Sequence, residues 1–214
     1  MRSRVHRTDW DEGQQNQLRR LQSRGDIFVT DKLSLTEALG RARARNTTIT
    51  LAEGVNYIYE DVTVVPDDIV VRALSWNSTI ETVGGAQIIW SGDRGKFHTL
   101  HLSGPGAADP RATNYLLKVT GADFSTWEVR YTDSTLLLDL QGDYAHCYSC
   151  RFEDQTIRAI NNTGDYSWIV GNQINNGAGT DLLSSGAKCY VAGNRAIGGV
   201  ITVSGGGSYN NNIV

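Results

Sequence analysis

Three aspartates recur at a spacing that could build a reactive surface. Asp123 lies in Ala122-Asp123-Phe124, Asp143 in Gly142-Asp143-Tyr144 and Asp165 in Gly164-Asp165-Tyr166. Read as one repeat, they take the same place in three successive turns of chain, about 4.8 Å apart. Two carboxyl groups in such a column could serve as acid and base in glycoside hydrolysis, which uses separations of about 5–9 Å. The competing reading is that Gly-Asp is a turn dipeptide whose carboxylate serves backbone hydrogen bonds. The turn reading takes precedence. No catalytic residue is assigned outright, and Asp123, Asp143 and Asp165 are the candidates if the chain is an enzyme. Asp133, Glu153 and Asp154 form a second acidic set at strand exits, with turn and solubility roles.

Other reactive side chains are less organised. Cys147 and Cys150 make a CxxC, with Cys189 left over. On one strand, residues three apart face opposite sides, which argues against a shared metal, and neither His146 nor Cys189 completes a zinc spacing. Buried structural thiols are the expectation. His98 and His101 would face opposite sides in the same way, and no histidine has a serine and an acid at triad spacing. Trp76, Trp90, Trp127, Trp168 and the tyrosines could offer sugar-stacking rings or could be core. No phosphate loop or dinucleotide fingerprint occurs, so no cofactor and no metal is expected.

The elements that must position these groups follow from composition and texture. The chain has 214 residues, 40% hydrophobic and 20% charged, enough for a folded core. No apolar run approaches the length of a membrane span, and no apolar stretch follows the charged N-terminus as in a signal peptide. Net charge is −3. Residues 1–45 hold ten Lys/Arg against six Asp/Glu, whereas the remainder holds ten against 17. A basic head on an acidic body suits docking on an acidic partner. Without a long basic run, nucleic-acid binding is not expected.

Residues 1–25 carry helix signals but only a thin apolar stripe of Trp10, Leu18 and Leu21. Such a segment needs a partner surface or copies of itself. Its Trp10, Leu18, Arg19, Arg20 and Leu21 are the attachment candidates. Ser34-Leu35-Thr36-Glu37 reads as a capping box and predicts a helix over 34–44. Beyond Asn46, fourteen short β-branched runs alternate with Gly, Asn, Asp and Ser turns. Among them are Tyr57–Val65, Phe97–Leu102, Phe124–Tyr131, Tyr144–Phe152 and Tyr166–Gln173. Echoes at Phe124, Tyr144, Tyr166, Cys189 and Tyr209 give periods of 20 to 23 residues. Each period holds two clear strands and a third, short one. An all-strand repeat of that length predicts a solenoid of about seven or eight turns, each strand pairing in parallel with its equivalent one turn on. An antiparallel sandwich is the structural rival, although it would not require echoes in register.

These features resemble the right-handed parallel β-helix of the pectate-lyase-like superfamily. The resemblance covers roughly residues 30–214. It is carried by the entrance (a capping helix, Thr48-Ile-Thr-Leu51, the turn Gly54-Val55-Asn56-Tyr57, then Val62-Thr63-Val64) and by Gly171-Asn172 and Gly193-Asn194, which imply stacked asparagines. Residues 1–25 match no known family and are expected to form an N-terminal arm for attachment or oligomerisation, ahead of an all-β parallel β-helix domain over 26–214 with the capping helix 34–44. Bacteriophage tail spikes and other virion proteins often use this entrance after a small attachment segment. The first functional expectation is therefore a non-catalytic virion structural protein: a capsid decoration, a head fibre, or a short tail-spike or fibre component. It would assemble in a bacterial cytoplasm as a homotrimer, contact other virion proteins through residues 1–25 and meet a host-surface glycan. The alternative is a polysaccharide lyase or glycoside hydrolase. The third is a non-catalytic carbohydrate-binding module.

Overall fold

The computed structural model describes residues 26–29, 34–42, 47–106, 115–155, 157–175 and 180–214. Trp10, Leu18, Arg19, Arg20 and Leu21 lie outside the described residues. Among those described, short strands form three parallel sheets. Sheet 1 holds β1 (Ile27–Val29), β2 (Thr48–Leu51), β5 (Val70–Ala73), β8 (Lys96–His98), β11 (Ser125–Trp127), β14 (His146–Tyr148), β17 (Trp168–Val170), β20 (Tyr190–Ala192) and β23 (Ser208–Asn210). Sheet 2 holds β3 (Gly54–Ile58), β6 (Ser78–Thr82), β9 (His101–Ser103), β12 (Arg130–Thr132), β15 (Arg151–Phe152), β18 (Gln173–Asn175) and β21 (Arg195–Ile197). Sheet 3 holds β4 (Val62–Val64), β7 (Ile88–Trp90), β10 (Tyr115–Val119), β13 (Leu136–Leu140), β16 (Arg158–Asn162), β19 (Thr180–Ser184) and β22 (Val200–Val203).

The chain visits sheets 1, 2 and 3 in that order on each circuit, for seven circuits, so the described body is a parallel β-solenoid. Several of the long predicted runs are each two strands around a corner. The runs Phe97–Leu102, Phe124–Tyr131 and Tyr144–Phe152 break at Thr99, Glu128 and Ser149, which take left-handed φ of 49°, 53° and 52°. A left-handed residue between two extended ones turns the chain without a longer loop. The strain of a side chain there is offset by ladder bonds: the Thr99 N–H donates to Trp127 O at 3.1 Å and the Ser149 N–H to Val170 O at 3.1 Å. The expected turn Gly54–Tyr57 is instead strand β3, which pairs with β6. Strand β6 itself was not expected, because its Ser, Thr and Glu dilute the apolar signal.

Parallel stacking puts like on like. In sheet 1 the inward column runs Ile49, Val71, Phe97, Thr126, Cys147, Ile169 and Val191. In sheet 3 it runs Val62, Ile88, Leu117, Leu138, Ile160, Leu182 and Ile201. Trp90 packs on Phe97 and Phe124 at ring separations of 5.3 Å each, and Tyr131 stacks on Phe152 at 4.8 Å. A helix, α1 (Leu35–Arg41), starts at Ser34, whose side chain accepts the Glu37 N–H while Glu37 reaches back to the Ser34 N–H. Leu35, Ala38, Leu39 and Ala42 join the buried core. No helix among the described residues is long and apolar enough to cross a membrane.

One buried acid stands apart. The pairing of β19 with β22 shifts register between Thr180 and Leu182. Asp181, fully buried there, faces Gly199 so closely that a Cβ on Gly199 would overlap its carboxylate. Its Oδ1 accepts from Gln155 at 3.4 Å, and its Oδ2 has no hydrogen-bond partner among the described residues. Burial pushes this carboxyl above the usual aspartate range. The folded pKa thus exceeds the unfolded one, so stability falls as pH rises from the unfolded pKa through the folded value and stays lower above it. Asp181→Asn removes that ionisation. The variant is expected to melt a few degrees above wild type at pH 7, with the gap closing towards pH 4. A gap independent of pH in thermal melts would contradict the assignment.

Candidate functional site

The corner that leads into sheet 1 carries the aspartates, and the structure regroups them. Gly92, Gly121, Gly142, Gly164 and Gly186 stack so tightly that a Cβ on Gly142 would overlap the Gly121 carbonyl oxygen, and likewise from Gly121 to Gly92, Gly164 to Gly142 and Gly186 to Gly164. This glycine column sets the register. Asp143 and Asp165 do stack: Asp143 Oδ1 accepts the Asp165 N–H at 2.9 Å, and Asp165 Oδ1 accepts the Ala187 N–H at 2.7 Å. Asp67 and Asp93 repeat the pattern three circuits earlier, accepting the N–H groups of Asp93 at 2.9 Å and Ala122 at 2.8 Å. Asp123 is not in this column. It stands one residue further on, at φ 56°, in the place taken by Arg94 and Tyr144. There its N–H donates to Asp143 O at 2.9 Å, as the Tyr144 N–H does to Asp165 O at 2.8 Å. The three-carboxylate column is therefore corrected to a pair, Asp143 and Asp165, each tied to backbone. Aligning Gly121 with Gly142, instead of Phe124 with Tyr144, would have given this register from the sequence.

Asp133 and Asp154 sit at left-handed φ of 59° and 57°, as turn residues. Glu153 is an ion-pair hub on sheet 2: it accepts from Arg130 Nε at 2.8 Å and lies 3.6 Å from Arg151 Nε. His101 and His98 both face outward, but on different sheets, because Thr99 turns the chain between them; the expected opposite-face placement on one strand is corrected. His101 bridges Thr79 at 3.2 Å and Thr132 at 2.8 Å. Burial, assisted by Arg130, holds it below the ordinary histidine range.

The corner between sheets 1 and 2 explains the cysteines. Ser149 turns the chain there, so Cys147 and Cys150 both point into the core as free, buried thiols. The opposite-face argument fails for these two, although the structural reading of them stands. Asn172 fills the same corner one circuit on. Its Oδ1 accepts the Cys150 N–H at 2.8 Å, and its Nδ2 donates to Cys147 O at 3.0 Å. Asn194 serves Asn172 in the same way, at 3.0 Å to the Asn172 N–H, and Asn212 serves Asn194 at 2.9 Å. The asparagine ladder implied by Gly171-Asn172 and Gly193-Asn194 is present. Among the described residues no group of three or more His, Cys, Asp or Glu is gathered to hold a metal ion.

The tryptophans divide. Trp90 is fully buried core, whereas Trp76, Trp127 and Trp168 are about half exposed. Trp76 overhangs a groove on sheet 2 lined by Glu128, Arg130, Ser149, Arg151 and Gln173. Trp127 and Trp168 stand on the outward face of sheet 1 with His98, His146 and Tyr190.

No family model and no curated protein matches the sequence. Solved structures do match the shape. The catalytic domain of a GH87 alpha-1,3-glucanase in complex with tetrasaccharides superposes with a TM-score of 0.71 at 13% identity, over 88% of this chain and 39% of that one. The chain folds as a parallel β-helix. A pectin methylesterase in complex with a hexasaccharide superposes at 0.58 and 12% identity, over 80% of this chain and 65% of that one. The β-helix thus spans about two fifths of the glucanase domain and just under two thirds of the esterase. ORF18 of Geobacillus virus E2 aligns over 98% of this chain and 64% of that one at 12% identity, with a TM-score of 0.33, too loose to argue from.

Proposed function

We propose that this β-helix is a non-catalytic structural protein on the surface of a bacteriophage particle, as a capsid decoration or head fibre or as a short tail-spike or fibre component. The observation that carries the non-catalytic reading is the state of the candidate carboxylates. Asp143 and Asp165 each spend an oxygen on the backbone amide of the next circuit, and Asp123 lies out of their register. An acid–base pair needs two carboxyls aimed across a substrate bond; these serve the stacking of their own turns. The particle setting draws on the entrance pattern, with α1 covering the first circuit and Trp10, Leu18, Arg19, Arg20 and Leu21 as the anchoring side chains of residues 1–25. Homotrimeric assembly in a bacterial cytoplasm belongs to the same reading.

Two experiments test it. Antibodies against the chain are expected to label intact phage particles purified from lysates of the source; label confined to the soluble fraction would contradict the setting. Asp143→Ala and Asp165→Ala are each expected to cost about 1 kcal/mol in urea unfolding, through one lost hydrogen bond, and to leave polysaccharide size unchanged. A second reading, a polysaccharide lyase or hydrolase, is favoured by the groove under Trp76, with Glu128, Arg130 and Arg151 along it. On that reading Glu128→Gln abolishes depolymerisation and Asp143→Asn does not.

A further inference from the structure

The outward face of sheet 1 contains a pit that the structural role does not use. Its floor is Ser125, a small residue between Lys96 and His146 in a row that continues through Trp168 to Tyr190. Stacked strands place successive members of this row about 4.8 Å apart, so one short side chain between long ones leaves a depression. Its walls are Lys96 and His98 on one side, His146 and Tyr148 on the other, and Trp127 along the edge, enclosing about 470 Å³. The hollow continues past Ser125 towards Asp68, Arg94 and Asp123.

The groups around the pit differ in what they have left to offer. Arg94 is already held by Asp68, at 2.7 Å and 3.0 Å from its Nε and one terminal nitrogen. Lys96 forms no ion pair with any described residue, and Ser125 Oγ has no side-chain partner among them. His146 Nδ1 meets Tyr148 Oη at 2.8 Å, which orients the ring and leaves Nε2 for another partner. The exposed rings differ too. Tyr144 and Tyr166 stack face to face, 5.0 Å apart and 10° from parallel, and so cover each other. Trp127 meets His98 at 47°, keeps 49% of its surface exposed, and lines the pit.

From this geometry we infer that the pit binds one anionic sugar residue of a glycan: Lys96 Nζ, His146 Nε2 and Ser125 Oγ take the acid group, and Trp127 takes the apolar face of the ring. A cation alone would take any small anion, and an aromatic alone any sugar. The two side by side on one rigid sheet select a sugar that carries a charge. This site lies on a different sheet from the Trp76 groove, and its binding does not depend on the particle setting proposed above.

The titration of the walls supports the same choice. Burial holds His98 and His146 below the ordinary histidine range, with Lys96 and Arg72 adding to the effect at His98. Glu128 opposes it at His98, and Asp123 opposes it at His146. Both rings therefore gain charge only on acidification, and a bound anion favours the charged form. Affinity for an anion rises as pH falls from 8 to 6.

Isothermal titration of the full chain with glucuronate, galacturonate and sialic-acid oligosaccharides tests the site, with cellohexaose and sodium sulfate as controls. At least one acidic oligosaccharide is expected to bind, more tightly at pH 6 than at pH 8, and both controls about tenfold or more weaker. Lys96→Met and Trp127→Ala, at surface positions where melting is expected to be unchanged, are each expected to weaken that binding about tenfold. Binding to none of the acidic oligosaccharides would overturn the proposal. So would equal affinity for cellohexaose, sulfate binding as tight as the sugar, or full affinity in either variant.

Discussion

Asn172→Ala is expected to lower the melting temperature of the β-helix by about 10 °C. The side chain lies 1% exposed in the corner between sheets 1 and 2. Its amide satisfies three groups at once: the Cys150 N–H, the Cys147 carbonyl and Asn194 Oδ1. Removing it strands the first two without water. Each orphaned buried group costs about 1–3 kcal/mol, and 1 kcal/mol moves the melting temperature of a chain this size by about 2–4 °C. Asn210 lies exposed on the last strand of sheet 1, and Asn210→Ala is expected to leave melting near wild type. Equal melting shifts for Asn172→Ala and Asn210→Ala, read by circular dichroism, would remove the ladder from the account.

Gly142→Ala is expected to cost about 3 kcal/mol or more, because the new methyl group meets backbone rather than a side chain that can swing away. The Cβ would overlap the Gly121 carbonyl oxygen, and Gly121 is itself pressed on Gly92. Relief requires prising the two circuits apart, which breaks the bonds between them: the Asp123 N–H to Asp143 O and the Gln141 and Gly142 N–H groups to Val119 O. Gly40 gives the contrast within the same chain. It lies in α1, and a Cβ there meets nothing within 4 Å. Gly40→Ala is therefore expected to gain about 0.5–1 kcal/mol from helix propensity. Urea unfolding of the two variants should move in opposite directions. A neutral Gly142→Ala would mean that the glycine column does not hold the register.

The architecture was legible because a solenoid repeats its physics. The Gly-Asn pairs gave the asparagine ladder, and the capping box at Ser34 and Glu37 marked the start of α1. The register was not legible from the echoes chosen. Phe124, Tyr144 and Tyr166 look alike as large aromatic residues, yet Phe124 is buried while Tyr144 and Tyr166 stack on the surface. Aromaticity does not report which face a ring takes. Glycine at a close approach does, since no other residue fits there, and the spacing of Gly121, Gly142, Gly164 and Gly186 carried that information. The one-residue error moved Asp123 into a column it does not occupy. The corners were hidden for another reason: Thr99, Glu128 and Ser149 are ordinary residues held at left-handed φ by the circuit above, and nothing local in the sequence marks them. The same corners placed Cys147 with Cys150 and separated His98 from His101. The pit on sheet 1 depends on Ser125 falling beside Lys96 and His146, a neighbourhood that exists only once the register is known.

On the proposed function, the stacked carboxylates tie neighbouring circuits together and perform no chemistry. The most direct measurement is the size distribution of a panel of neutral and acidic polysaccharides, followed by light scattering during prolonged incubation with the purified full chain. Profiles are expected to match the protein-free controls throughout, including for any acidic glycan the chain binds. Progressive shortening of one polysaccharide by wild type, absent with Asp143→Asn or Asp165→Asn of unchanged fold, would contradict it.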